Sequence, residues 1–217
     1  IPGPVCDRLQ AMARKSAIHI CAGITEKDGE RVFNSAVLIG DDGGLLLKYR
    51  KINVLEVGQE FYEIGDSLSV VDTRFGWIGM NICSDNYIDS LEIGHVLARM
   101  GCQIILSPSS WTVDYSLENS ENPYADKWLK PLHTLSSLYD LVMISVSSVG
   151  YIVGGPYEGK KMVGCSLAVG KGGVLAQGPY NEVAGQLVFT KVDVPKRKEK
   201  GTGIGKMLSE KGYYARG

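Results

Sequence analysis

The sequence lacks long apolar runs and any marked excess of charge of one sign. No apolar segment approaches the ~20 residues that a membrane-spanning helix needs, and no segment has the pattern of a signal peptide. Lysine and arginine together number 23 against 24 acidic residues, which gives a net charge of −1. A surface that attracts nucleic acid or anionic lipid is therefore not expected, and neither class of partner is predicted.

Patterns of cysteine and histidine that hold metals or disulfides are also missing. The five cysteines are odd in number and scattered, without CxxC spacing, at positions 6, 21, 83, 102 and 165. We therefore expect no disulfide framework or zinc cluster, and we predict a cytoplasmic protein. The three histidines are isolated, so no metal site is predicted. No cofactor is expected either, because no strand–glycine–helix context follows the glycine pairs.

What the sequence does contain is an alternation of strand-like and helix-like segments. At 217 residues and 44% hydrophobic composition, the chain can bury one sizeable core. Hairpins mixed with strand–helix–strand crossovers favour an α/β fold with mixed sheets. We predict one domain over residues 1–194 and a basic, exposed extension over 195–217 that docks on a partner subunit. Helices are predicted at 7–15, 90–101 and about 124–139; strands are predicted at 17–24, 33–40, 45–50, 67–73, 77–83, 103–111, 141–150, 165–178 and 185–194.

Cys83 is the first candidate for chemistry. It ends an apolar strand-like run and precedes a polar turn, a position that open α/β sheets present in a crevice. Lys51 follows another apolar strand, and an acidic segment lies between the two. A thiol, a cation and a carboxylate in one crevice would form an activated nucleophile. By pattern alone the cysteine is more often inert packing, and His95 offers a weaker Cys–His alternative.

Four stretches give the chain a resemblance to a known family. They are FNSAVLIGDDGGLLLKYRKINV (33–54), FYEIGDSLSVVDTRFGWIGMNICSDN (61–86), GCQIILSPSSW (101–111) and GCSLAVGKGGVLA (164–176). On these the chain resembles the nitrilase superfamily, the carbon–nitrogen hydrolases. The resemblance implies a four-layer α-β-β-α sandwich with two mixed sheets. It also implies a Glu-Lys-Cys catalytic triad and assembly into a homodimer or larger homo-oligomer.

The resemblance assigns roles to individual residues. Cys83 would attack an amide or nitrile carbon, and Lys51 would hold the thiol as thiolate and stabilise the oxyanion. A nearby ammonium matters because a free cysteine, with a pKa of about 8.5, is mostly protonated at neutral pH. The backbone N–H of Ser84 would be a second oxyanion donor. Glu60, with Glu56 as the alternative, would be the accessory glutamate.

Further residues are expected to shape the substrate pocket. Trp111 would line it, together with Ser84, Asp85, Asn86 and the loops at 112–123 and 152–163. Asp85 could equally be a helix N-cap. Many relatives have an aromatic residue after the cysteine, then Asp, an Arg and a Pro-Glu pair. The run from Ser84 to Asp89 departs from this order, which leaves the substrate class open.

The general-base glutamate of the family has no match in residues 1–32. Glu26 and Glu30 are interpreted as structural or surface residues, because their stretch resembles the family's following strand and turn. The chain therefore resembles a family member without its first strand–helix–strand, and we expect a preceding segment outside this sequence. A missing base lowers the rate by about 10²–10⁴-fold.

The predicted function is a cofactor-free thiol hydrolase of a small carboxamide or N-carbamoyl compound. An amide is favoured over a nitrile because amidases are the larger share of the family. One alternative is a catalytically inactive scaffold subunit. Another is an N-acyltransferase that passes the same thioester to an amine.

Overall fold

The computed structural model describes residues 1–117, 125–180 and 185–197. Its α-helices are α1 (Pro4–Ser16), α2 (Glu92–Arg99) and α3 (Lys130–Tyr139). Its strands are β1 (Ile20–Asp28), β2 (Arg31–Ile39), β3 (Leu45–Arg50), β4 (Val70–Thr73), β5 (Gly76–Met80), β6 (Ile104–Ser109), β7 (Thr112–Asp114), β8 (Val142–Ser147), β9 (Val149–Tyr151), β10 (Lys160–Val163), β11 (Leu167–Gly170) and β12 (Gly173–Gln177). Within these ranges, no helix has both the length and the apolar character that crossing a bilayer requires.

The first sheet is an antiparallel meander in the order β1-β2-β3. A hairpin turn at residues 41–44 joins β2 to β3, and its closing hydrogen bond runs from the Gly40 N–H to the Gly44 carbonyl at 2.8 Å. Gly43 has a φ of 83°, a conformation that residues with a side chain rarely adopt. This turn delivers β3 and, directly after it, Lys51.

The second sheet has six strands in the order β12-β11-β8-β6-β5-β4. Its centre is parallel, because β5, β6 and β8 are joined by crossovers through α2 and α3. The flanking pairs are antiparallel. The predicted α/β class with mixed pairing is therefore confirmed. Parallel strands end at one edge of the sheet, so the turn after β5 opens at the carboxyl edge where such sheets carry ligands.

The core lies in the spaces between these elements. Leu38 and Tyr49 of the first sheet pack against Met80 of the second. On the far side of the second sheet, helix α2 packs Leu97 into the same buried cluster as Leu135 of α3. Helix α1 covers the outer face of the first sheet in a separate cluster that includes Ala13, Val37 and Ile39. Strand β2 is thus buried on both faces, which explains its nearly continuous apolar run.

Two segments differ from the sequence-based prediction. The strand predicted at 185–194 is not a strand; it pairs with no strand in the described ranges, and Leu187 and Phe189 are each 86% exposed. Its apolar pattern is strand-like, but a strand also needs a neighbouring edge. Conversely, parts of the loops predicted at 112–123 and 152–163 form a small antiparallel sheet, β7-β10-β9.

The segment at the start of the predicted extension contacts the second sheet. The Gln103 side-chain amide donates to the Pro195 carbonyl at 2.6 Å, and the Arg197 guanidinium lies 3.6 Å from the centroid of the Trp77 ring. The remainder of that extension, 198–217, lies outside the described residues.

Candidate active site

Cys83 begins a short 3₁₀ turn, Cys83–Asn86, just beyond the end of β5. Its φ is 48°, in the left-handed region that residues other than glycine rarely occupy. Such backbone outliers persist only where surrounding contacts hold them, and they concentrate at functional sites. The chain reverses at this residue, and the half-buried thiol side chain lines a cavity.

Lys51 follows β3 directly and is held by backbone hydrogen bonds on both sides. Its N–H donates to the Asn34 carbonyl at 2.8 Å, and its carbonyl accepts the Gly65 N–H at 2.8 Å. A side chain at Gly65 would overlap the Arg50 carbonyl oxygen, so glycine is needed for this close approach. Lys51 is only 6% exposed, which fixes a positive charge at a nearly buried position.

Cys83 and Lys51 line the same cavity, whose volume is about 1130 Å³. Most of its wall is apolar, and the polar lining residues include His19, Asn34, Lys51 and several serines. Prominent in the wall are Val54, Leu55, Phe61, Tyr62, Ile144, Val146, Ile152, Pro156 and Tyr157. A thiol and an ammonium facing one largely apolar cavity can act as a nucleophile and a charge stabiliser.

Asp85 joins the turn that carries Cys83 to the segment that carries Lys51. Its carboxylate accepts hydrogen bonds from the Tyr49 hydroxyl at 2.8 Å, the Ile82 N–H at 2.8 Å and the Asn53 N–H at 2.9 Å. Burial raises the pKa of Asp85, while these three donors and the charge of Lys51 act in the opposite direction. Asp85 is fully buried. Its hydrogen bonds fix the position of the backbone at residues 53 and 82.

The neighbouring polar residues are buried in the same way. Asn86 exchanges side-chain hydrogen bonds with Asn81 at 2.6 and 2.9 Å and donates to the Ser107 hydroxyl at 2.9 Å. The Ser84 hydroxyl donates to the Asn53 carbonyl at 2.8 Å. The side chains predicted to bind substrate after Cys83 therefore face inward and support its turn.

The structure does not bring the other predicted site residues into the cavity wall. Glu60 and Glu56 are exposed, although the adjacent Phe61 lines the cavity. Trp111 is 1% exposed and stacks on Trp128 with ring centroids 4.5 Å apart. The cavity-lining residues in the described part of the chain include no aspartate or glutamate. The predicted pocket loops contribute residues 112, 152 and 154–157.

Cys102, Cys165 and His95 fit structural roles, whereas Cys21 and His19 line the same cavity as Cys83. Burial raises the pKa of Cys21 and of Cys102 to about 12 in each case, and it also raises the pKa of Cys165. Thiols in such surroundings stay protonated and unreactive. The His95 ring nitrogen Nδ1 pairs with the Tyr139 hydroxyl at 2.8 Å. Within the described ranges, no three potential metal ligands group closely enough to hold an ion.

Tyr49 is a buried group that sequence reasoning did not single out, and Glu26, interpreted from the sequence as a structural or surface residue, is also buried. Tyr49 alternates with Leu47 on the inward face of β3, so a period of two residues could have indicated its burial. Glu26 is 2% exposed and accepts hydrogen bonds from Arg50, Lys48 and Ser35. No local pattern distinguishes it from the exposed charges around it.

The carbon-nitrogen hydrolase family model matches residues 1–195, and the chain therefore belongs to that family. It is 30% identical over 123 residues to omega-amidase NIT2 of Bos taurus, covering 52% of this chain and 44% of that protein. It is 36% identical over 109 residues to a nitrilase of Pyrococcus abyssi, covering 50% and 40%. The matches thus span less than half the length of these relatives.

Solved structures share the fold. A carbon-nitrogen hydrolase from Helicobacter pylori superimposes with a TM-score of 0.73 at 24% identity, covering 82% of this chain and 64% of the other. A mutant of an amidase from Nesterenkonia sp., with an acetamide moiety added covalently at its active-site cysteine, gives a TM-score of 0.67 at 18% identity, covering 81% and 62%. At these identities the likeness establishes the fold alone.

Proposed function

We propose that this chain carries the nucleophile and the lysine of a thiol hydrolase that cleaves the C–N bond of a small amide or N-carbamoyl compound. The observation that supports this most is that Cys83 and Lys51 line one cavity, with Cys83 on a left-handed backbone turn. The family membership and the omega-amidase among its relatives favour an amide. Apart from Lys51 the wall is largely apolar, and its described lining residues include no carboxylate, which suits an uncharged acyl group.

In the proposed reaction, the Cys83 thiolate attacks the carbonyl carbon and forms a tetrahedral adduct. The Lys51 ammonium and the Ser84 N–H stabilise its oxyanion. The C–N bond then breaks, the nitrogen leaves with a proton as ammonia or an amine, and water hydrolyses the thioester to a carboxylic acid. Because no carboxylate among the described residues lines the cavity, the proposal assigns the base to none of them and gives no step to Glu60 or Glu56.

The test is ammonia release from short aliphatic amides, N-carbamoyl compounds and a nitrile. Cys83→Ala is expected to lower the rate by about 10⁶-fold, as loss of a nucleophile does elsewhere. Cys6→Ala is the matched control, because Cys6 lies in the separate cluster under α1. Equal ammonia release by Cys83→Ala and wild type would refute the proposal. Absence of turnover in the wild type would favour a scaffold, and acyl transfer to added hydroxylamine would favour the transferase.

A further inference from the structure

The two reactive side chains stand on separate loops that are joined on both sides by hydrogen bonds. Lys51 lies between Tyr49 and the pair at 52 and 53, and Cys83 lies between its neighbours at 82 and 84–85. Three hydrogen bonds cross the gap, and they join Tyr49 and Asn53 on one side to Ser84 and Asp85 on the other. A displacement of either loop therefore has to stretch these contacts.

The first connection runs through the Tyr49 hydroxyl. It accepts the Ile52 N–H at 3.1 Å and donates to the Asp85 carboxylate oxygen Oδ2 at 2.8 Å. The same oxygen accepts the Ile82 N–H at 2.8 Å. The residue after Lys51 and the residue before Cys83 are thus linked through two side chains.

The second connection runs through Asn53. Its N–H donates to the other Asp85 oxygen at 2.9 Å, and its carbonyl accepts the Ser84 hydroxyl at 2.8 Å. Both backbone polar groups of Asn53, the N–H and the carbonyl, are therefore hydrogen-bonded to the turn that contains Cys83. Two connections between the same pair of loops restrict their rotation as well as their separation.

Burial makes this set of contacts selective for one geometry. Asp85 is 0% and Tyr49 is 4% exposed, so water cannot replace a broken contact without cost. Hydrogen bonds to a buried carboxylate are shorter and stronger than neutral ones, and an unmet partner there is heavily penalised. Both oxygens of the Asp85 carboxylate accept hydrogen bonds from N–H or O–H donors. An asparagine at this position would therefore point its NH₂ group at one of these donors, where no hydrogen bond can form.

We propose that Tyr49 and Asp85 are positioning residues that set the distance between the Lys51 ammonium and the Cys83 thiol, and thereby the reactivity of that thiol. This inference rests on the proposed function in taking Cys83 as the nucleophile. Its measurable consequence does not require turnover, because the thiol can be probed directly by alkylation.

The experiment measures the rate of Cys83 alkylation by iodoacetamide across a pH series, followed by peptide mass spectrometry, in the full chain. Tyr49→Phe and Asp85→Asn are expected to slow alkylation at neutral pH by about 10–100-fold, the effect of a displacement near 1 Å at a reactive centre. The double variant should be less than additive, since both act in one network. Tyr139→Phe is the matched control, as it removes a hydroxyl that joins α2 and α3.

Thermal unfolding separates positioning from a purely structural role. Folded Tyr49→Phe and Asp85→Asn proteins that are alkylated at the wild-type rate would overturn the inference, even if both were less stable. Should either fail to fold, Ser84→Ala removes one contact of the second connection and is expected to slow alkylation by a few-fold. Slowed alkylation in a protein without hydrolytic activity would support the positioning role while refuting the proposed function.

Discussion

The floor and the rim of the cavity are built in opposite ways. The floor is defined as the turn at 81–86 with Ser107. It is buried apart from the half-buried Cys83, and its polar side chains, those of Asn81, Ser84, Asp85, Asn86 and Ser107, are all hydrogen-bonded. The rim, defined as Phe61 and residues 154–157, is largely exposed, and Gly154 and Gly155 have positive φ with open space around them. Two parts of one site therefore differ in how strongly their shape is determined.

In the proposed function, this difference assigns the chemistry to the floor and the choice of substrate to the rim. Buried hydrogen bonds permit few alternative arrangements, so we expect the floor to hold the Cys83 thiol and the Lys51 ammonium in one relative position. The rim can change its sequence or shape at small energetic cost. We expect substitutions in the floor to alter stability and thiol reactivity, and substitutions in the rim to alter substrate affinity.

The largest effect is expected from Asn86→Ala in the floor. It leaves the Asn81 amide and the Ser107 hydroxyl without this buried partner, at about 1–3 kcal/mol for each unsatisfied group. Urea unfolding should show a loss of at least about 2 kcal/mol. Thr134→Ala, an exposed hydroxyl that bonds within its own helix, is the control. If Asn86→Ala changed the free energy of unfolding by less than about 0.5 kcal/mol, the range of ordinary surface substitutions, the buried hydrogen bonds would not fix the shape of the floor.

Gly65→Ala should disturb the floor from the side of Lys51. The added methyl group overlaps the Arg50 carbonyl, a backbone atom that cannot rotate away. We expect a loss of about 1–3 kcal/mol, the usual range for overpacking, and slower Cys83 alkylation because Lys51 is displaced. Gly172→Ala, where the methyl group meets nothing within 4 Å, is the comparison. Unchanged alkylation in a folded Gly65→Ala protein would show that Lys51 tolerates displacement.

The buried carboxylate of Glu26, on the first sheet, makes the free energy of unfolding depend on pH. Burial alone would raise the pKa of Glu26, but hydrogen bonds from Arg50, Lys48 and Ser35 together hold it well below its usual range. A lowered pKa in the folded state stabilises the protein above the unfolded value of about 4.3, and this contribution is lost as pH falls. Glu26→Gln should therefore be less stable at neutral pH, with a difference from wild type that shrinks below about pH 4.

Glu30→Gln, at an exposed position in the adjoining hairpin turn, is the control for this pH series. Its unfolding free energy should follow the wild type throughout. A difference between Glu26→Gln and wild type that stays constant with pH would mean that packing, and not ionisation, accounts for the effect.

The smallest effect on stability is expected in the rim. Phe61 is 51% exposed, so Phe61→Ala should change the unfolding free energy by less than about 1 kcal/mol. If the rim selects substrates, KM for a preferred amide should rise while kcat stays close to the wild-type value. Steady-state kinetics on two amides of different length measure this. An equal fall in kcat would place Phe61 in the chemistry and blur the distinction between floor and rim.

The sequence predicted the elements better than the contacts between them. Apolar runs before Lys51 and Cys83 located β3 and β5, because a strand's pattern is local, although β5 ends at Met80 and not at the predicted residue 83. The pairing of Asp85 with Tyr49, 36 residues apart, depends on how two sheets approach each other. For the same reason, a strand-like pattern at 185–194 could not show whether an edge was available to it.

The left-handed backbone at Cys83 also sets a limit on improving this protein. Glycine adopts that conformation freely, whereas a residue with a side chain costs about 1–2 kcal/mol there. The amino acid that would make the turn most stable is thus one that has no thiol. A search for thermostable variants that scores folding alone would select against the proposed nucleophile, so position 83 has to be held fixed in any such redesign.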